Sequence, residues 1–65
     1  MSYKAFQIAV NRLMARLEMT ARFYLDGYHG RFIACCEDGT QIIGNSISKK
    51  ATIKTPTGRV YMAEI

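Results

Sequence analysis

The spacing of the apolar residues in this chain changes once, near residue 20, from a helical period to a pattern typical of strands. This change limits the number of folds that the chain can adopt. Before it, apolar residues recur at steps of four, three and four: Phe6, Val10, Leu13 and Leu17. Such a spacing places side chains on one face of a helix. Ser2 precedes this stripe, and its hydroxyl can accept a hydrogen bond from an amide of the first turn. We therefore predict a helix over about residues 2–19.

After residue 20, short runs rich in strand-forming residues alternate with turn residues. These runs predict strands at about residues 20–25, 31–37, 40–44, 51–55 and 59–64. The first run is ambiguous, because Tyr24 also continues the helical stripe if the helix extends to Leu25. Phe23 and Leu25 alternate with Arg22 and Tyr24, and this alternation favours a strand.

A chain of 65 residues has room for a single domain, here residues 1–65. A helix with one apolar stripe and a sheet bury their apolar sides by packing against each other. The predicted fold class is α+β, with one N-terminal helix packed on a four- to five-stranded antiparallel β-meander. No stretch resembles a signal peptide or reaches the roughly 20 apolar residues of a membrane span, so we expect a cytoplasmic protein.

Two turns set the predicted register of the sheet. A two-residue type I′ turn at Asp38-Gly39 pairs Cys35 with Ile42. One face then carries Ile33, Cys35 and Ile42, and the other carries Phe32, Ala34, Cys36 and Ile43. A three-residue turn at Pro56-Thr57-Gly58 pairs Thr55 with Arg59. The side chains that share a face in this second hairpin are Ile53, Tyr61, Ala63 and Ile65.

Both faces of the predicted sheet carry apolar side chains, although one short helix can cover only one of them. We expect the second face to be covered by a partner protein, by a second copy of the chain, or by curvature of the sheet itself. The candidate partner-binding residues are Phe32, Cys36 and Ile43 on the sheet, together with Ile8, Arg12 and Arg16 on the helix.

Few side chains of this sequence could act in catalysis or bind a metal. Cys35 and Cys36 are adjacent and point to opposite faces of a strand, and His29 is the only histidine. These three side chains do not make a tetrahedral zinc site, and a cysteine–histidine pair of nucleophile and base is not favoured in so small a domain. We expect no enzymatic activity, no metal and no cofactor.

The chain carries a net charge of +4 and a pI near 9.4, which suits an anionic partner. Basic and aromatic residues alternate around residues 22–24 and 28–32, an arrangement that suits single-stranded nucleic acid. The residues of this alternative are Arg22, Tyr28, Arg31, Lys49, Lys50 and Lys54. The second functional hypothesis is a small, basic nucleic-acid-binding protein, either monomeric or dimeric.

The overall make-up of the chain resembles that of small phage-encoded inhibitors of host defence, such as anti-CRISPR proteins. The resemblance covers the whole chain as a type, through its short length and its helix-plus-sheet pattern, with no shared motif. It implies a non-enzymatic protein that blocks a surface of a larger protein or nucleoprotein complex. Many such inhibitors are acidic mimics of nucleic acid, whereas this chain is basic, so an acidic protein surface or bound RNA is the expected target.

Overall fold

The helix begins at the predicted cap and ends earlier than predicted. Ser2 Oγ accepts a hydrogen bond from Ala5 N at 3.1 Å, and helix α1 spans Tyr3–Arg16. After it, Glu18 takes a left-handed conformation with φ of 55°, and Met19 N donates to Met14 O at 2.9 Å. This is a Schellman ending in which a glutamate holds the position that glycine usually takes. The predicted extension to residue 19 is therefore wrong.

Five strands follow the helix in a single antiparallel sheet. The computed structural model describes residues 1–65. The strands are β1 (Ala21–Asp26), β2 (Arg31–Cys36), β3 (Gln41–Asn45), β4 (Lys50–Lys54) and β5 (Val60–Glu64). Their order in the sheet is their order in the chain. The predicted α+β fold class and the predicted first strand are confirmed, and no helix is long and apolar enough to cross a membrane.

The predicted register of the β2–β3 hairpin is wrong by one residue. Cys36 N donates to Thr40 O at 2.8 Å, so the loop has three residues, 37–39, instead of two. Within this loop only Gly39 has a positive φ, of 95°, whereas a type I′ turn needs two such residues. Asp38 Oδ1 instead accepts a hydrogen bond from Thr40 N at 2.9 Å.

This one-residue shift exchanges the faces of the two isoleucines in β3. Ala34 pairs with Ile42, and Ile33 pairs with Ile43. Ile42 therefore joins the face that carries Phe32 and Cys36, because side chains alternate along a strand. The register of the β4–β5 hairpin is as predicted, with Ile53 opposite Tyr61.

The helix covers the face of the sheet that carries Phe32. The buried residues of the core are Phe6, Val10, Met14, Phe32, Ala34, Cys36, Ile42, Ala51 and Ile53. The core-facing stripe of the helix therefore ends in Met14, and Leu17 at the C-cap is exposed. The prediction that Phe32 and Cys36 lie on the uncovered face is wrong, because each is only 6% exposed beneath the helix.

Phe6 fixes the position of the helix on the sheet. Its ring centroid lies 6.2 Å from that of Phe23 and 5.7 Å from that of Phe32. A Cβ atom on Gly44 would approach the Phe6 ring to 3.2 Å, so glycine at this strand position admits the ring.

We predict that Gly39→Ala lowers the free energy of unfolding by about 1 kcal/mol, because an alanine is strained at this positive φ. Gly27→Ala is the matched control, since Gly27 has no positive φ and an added Cβ would meet nothing within 4 Å. Urea unfolding of both variants measures the difference. Equal stabilities would contradict the left-handed conformation of Gly39.

Candidate protein-binding surfaces

The sheet face opposite the helix, here called the open face, is covered by no other element of the chain. One row of side chains crosses all five strands on this face: Tyr24, Ile33, Ile43, Thr52 and Met62. Tyr24 and Met62 at the two ends are 51% and 61% exposed. Ile33 and Ile43 are half-buried by their neighbours in the sheet. The open face therefore has a mostly apolar centre.

Charged side chains lie on both sides of this apolar row. The basic residues of the open face are Arg22, Arg31, Lys50 and Lys54, and its acidic residues are Asp26 and Glu64. Only Arg31 and Asp26 take part in a salt bridge. Three basic side chains are thus left without an acidic partner, and the rim of the open face is positive.

The β1–β2 turn is held by the carboxylate of Asp26. Asp26 Oδ2 accepts a hydrogen bond from the Arg31 guanidinium at 2.9 Å and lies 2.9 Å from His29 Nδ1. Its Oδ1 accepts a hydrogen bond from His29 N at 3.2 Å. The hydrogen bonds from Arg31 and His29 lower the pKa of Asp26 from 3.8 to about 2. In this turn Tyr28 is 92% exposed, with its ring edge-on to His29.

We predict that this turn opens when the pH falls from about 4 through about 2. The folded-state pKa of Asp26 is depressed, so its contribution to stability is complete above pH 3.8 and is lost as the pH falls through the folded value of about 2. NMR titration of the His29 amide should show a midpoint near pH 2. In Asp26→Asn this transition should be absent, and a wild-type midpoint near 4 would contradict the bonding of Asp26.

The cysteines and the histidine are not brought together. His29 lies in the β1–β2 turn, and Cys35 and Cys36 lie at the far end of β2. Cys35 lies four residues beyond Arg31 along the strand, a distance of roughly 13 Å. Burial is the main cause that raises the pKa of the Cys36 thiol, which lowers its reactive thiolate fraction at neutral pH. Cys35 is half-buried on the open face.

A second surface is the cleft between α1 and β5. It has a volume of about 500 Å³. Its lining includes Arg12, Leu13, Arg16, Tyr61, Ala63 and Ile65. The cleft exists because the helix packs chiefly over β1 and β2. Tyr61 is consequently 48% exposed although it shares a face with the core.

The predicted partner-binding residues fall into separate places. Arg12 and Arg16 lie together beside the cleft, and Ile43 lies on the open face. Ile8 is exposed on the helix, away from both surfaces. The remaining two, Phe32 and Cys36, belong to the core.

The predicted nucleic-acid residues are largely gathered on one face. Arg22, Arg31, Lys50 and Lys54 all lie on the open face, whereas Tyr28 lies in the β1–β2 turn and Lys49 in the β3–β4 loop. The sequence prediction missed Tyr24, Ile33 and Met62 as surface candidates. Correct hairpin registers would have identified them, because they share one row across the sheet.

Comparison with protein-family models, with curated proteins and with solved structures found no match to this chain. The surfaces of the chain itself are therefore the basis for its proposed function.

Proposed function

We propose that this chain is a non-enzymatic protein-binding module that occupies a surface of a larger protein or nucleoprotein complex through its open face. The observation that carries the proposal is the row from Tyr24 to Met62, which is mostly apolar and crosses every strand without cover from the chain. An apolar centre inside a polar rim is the usual anatomy of a protein interface.

Burial of this row would stabilise a complex substantially. Full burial of one large apolar side chain contributes about 1.5–3 kcal/mol. Ile33 and Ile43 are already partly buried and would contribute less than this, whereas Tyr24 and Met62 would lose most of their remaining exposure. Tyrosine and methionine are also enriched at the centres of interfaces.

The rim charges favour an acidic target surface. Arg22, Lys50 and Lys54 form no salt bridge within the chain, so carboxylates of a partner could pair with them. Opposite charges around an apolar patch raise association rates and exclude partners of the same sign.

The resemblance to small phage-encoded inhibitors supports a narrower proposal, in which the target belongs to a host defence complex in the cytoplasm. Its support is the short chain and the helix-plus-sheet fold type. The mode of action would be occlusion, because the chain offers a binding face and needs no chemistry to block a site. A second copy of the chain is the alternative occupant of the open face.

Nucleic-acid binding is the second candidate, and the clustering of four basic residues on the open face favours it. Tyr24 could stack one base among these charges. It is, however, the only aromatic side chain on this face, whereas a stacking platform for a strand uses several rings. Binding of a protein therefore explains more of the side chains on the open face than binding of a nucleic acid does.

We predict that Ile43→Asp abolishes capture of the partner from a lysate of the source cells, because it places a charge at the centre of the open face. Ile47→Asp, the same change at an exposed position in the β3–β4 loop, should leave capture intact. Ile43→Asp costs some folding stability, roughly 1–2 kcal/mol. Met62→Asp at the exposed end of the row repeats the test with less effect on the fold, as circular dichroism will show.

A second copy of the chain or a nucleic acid on the open face would give different results with these variants. Light scattering of the purified chain would show a dimer that Met62→Asp converts to a monomer if a second copy covers the face. Retardation of labelled single-stranded probes, lost as the salt concentration rises, would favour nucleic acid. Capture that survives both Ile43→Asp and Met62→Asp would overturn the proposal for the open face.

A further inference from the structure

The outer edge of β5 presents unpaired backbone groups. Thr55 N donates to Arg59 O at 2.9 Å, so these two residues form a hydrogen-bonded pair. Hydrogen-bonded and non-hydrogen-bonded pairs alternate along an antiparallel ladder. Val60, Met62 and Glu64 therefore direct their N–H and C=O groups away from β4, toward the edge that no strand covers.

The helix–β5 cleft runs beside this edge on the face that carries the core. A strand added to β5 would place alternate side chains next to Tyr61 and Ala63, beneath the side of the helix that carries Arg12 and Leu13. Apolar side chains of such a strand would cover Tyr61 and Ile65, which the helix leaves partly exposed.

The charges at the cleft define the chemistry of the added segment. Arg12 and Arg16 are exposed, lie one helical turn apart and form no salt bridge within the chain. Glu64 is the only acidic residue at the cleft, and its side chain lies on the open face. Carboxylates on the added segment would therefore find two unpaired guanidinium groups, which bind carboxylates through charge-assisted hydrogen bonds.

We propose that the β5 edge is a second binding site, which accepts an extended segment of a partner protein by strand addition, with apolar and acidic side chains directed into the helix–β5 cleft. Strand addition satisfies the unpaired backbone groups, which a docked helix cannot do. A second copy of β5 fits less well, because Glu64, its only acidic side chain, lies on the open-face side of the strand. The site is separate from the open face and does not depend on binding there.

Selection of a phage-displayed library of random peptides on the immobilised chain tests the site. We expect enrichment of peptides in which acidic and apolar residues alternate. Arg12→Glu should weaken their binding by about tenfold or more, since it removes a charge-assisted contact. Lys4→Glu makes the same charge change on the helix away from the cleft and should have no such effect.

Two further variants separate this edge from other modes of binding. Met62→Pro removes an outward N–H without breaking the β4–β5 ladder, because proline is tolerated on an edge strand whose N–H faces solvent. It should weaken peptide binding, whereas Met62→Ala, which also removes the side chain from the open face but keeps the N–H, and Ile43→Asp on the open face should not. These variants therefore distinguish a failure of the proposal for the β5 edge from a failure of the proposal for the open face.

Hydrogen exchange supplies the direct readout. Bound peptide should slow exchange of the Met62 and Glu64 amides by about tenfold or more, while the Tyr61 and Ala63 amides, already paired with β4, should change little. Three results would overturn the proposal: no enriched peptide, peptides indifferent to both Arg12→Glu and Met62→Pro, or a free chain that dimerises with its Met62 and Glu64 amides already protected.

Discussion

The contact between Phe6 and the backbone of Gly44 is the constraint on which the rest of the structure depends. Because Gly44 has no side chain, the Phe6 ring can lie against β3, with Phe23 and Phe32 around it. This contact holds the N-terminal half of α1 over the first three strands. The side chains of β5 on the same face are left partly exposed, and the helix–β5 cleft is a direct result. One aromatic ring thus determines both where the core is closed and where the surface remains apolar.

The hairpin between β2 and β3 has a comparable effect on the other side of the sheet. Its three-residue loop places Ile42 in the core and Ile43 beside Ile33 on the open face. A two-residue loop would have exchanged them, leaving a different apolar row exposed. The length of this loop therefore decides which side chains a partner would meet, although the loop itself lies at the end of the sheet.

Much of the fold was predictable from the sequence, because the period of the apolar residues and the turn residues are local signals. The helix, the strands and the Pro56-Thr57-Gly58 turn followed from them. The end of the helix did not, since Glu18 carries none of the usual signals for a left-handed residue. The β2–β3 register also failed, because Asp38-Gly39 suits both a two-residue and a three-residue loop, and only packing beneath the helix distinguishes them.

The candidate surfaces were predictable only in part. That the sheet has two apolar faces followed from the sequence, and so did the position of Arg12 and Arg16 on one edge of the helix. Which face is covered could not follow, because it depends on the register and on the fit of Phe6 at Gly44. Phe32 and Cys36 were assigned to the surface for this reason, and Tyr24, Ile33 and Met62 were overlooked.

Each strand of this sheet pairs only with its neighbours in the chain, and that simple order has a kinetic consequence. The sheet can grow by successive closure of short hairpins, and only the helix links distant parts of the sequence, as in the contact of Phe6 with Gly44. Local strand pairing of this kind lowers the contact order and accelerates folding. The chain should reach its folded form on the order of milliseconds, so Phe6, Phe32 and Ile42, which lie in the core, are exposed to other chains only briefly.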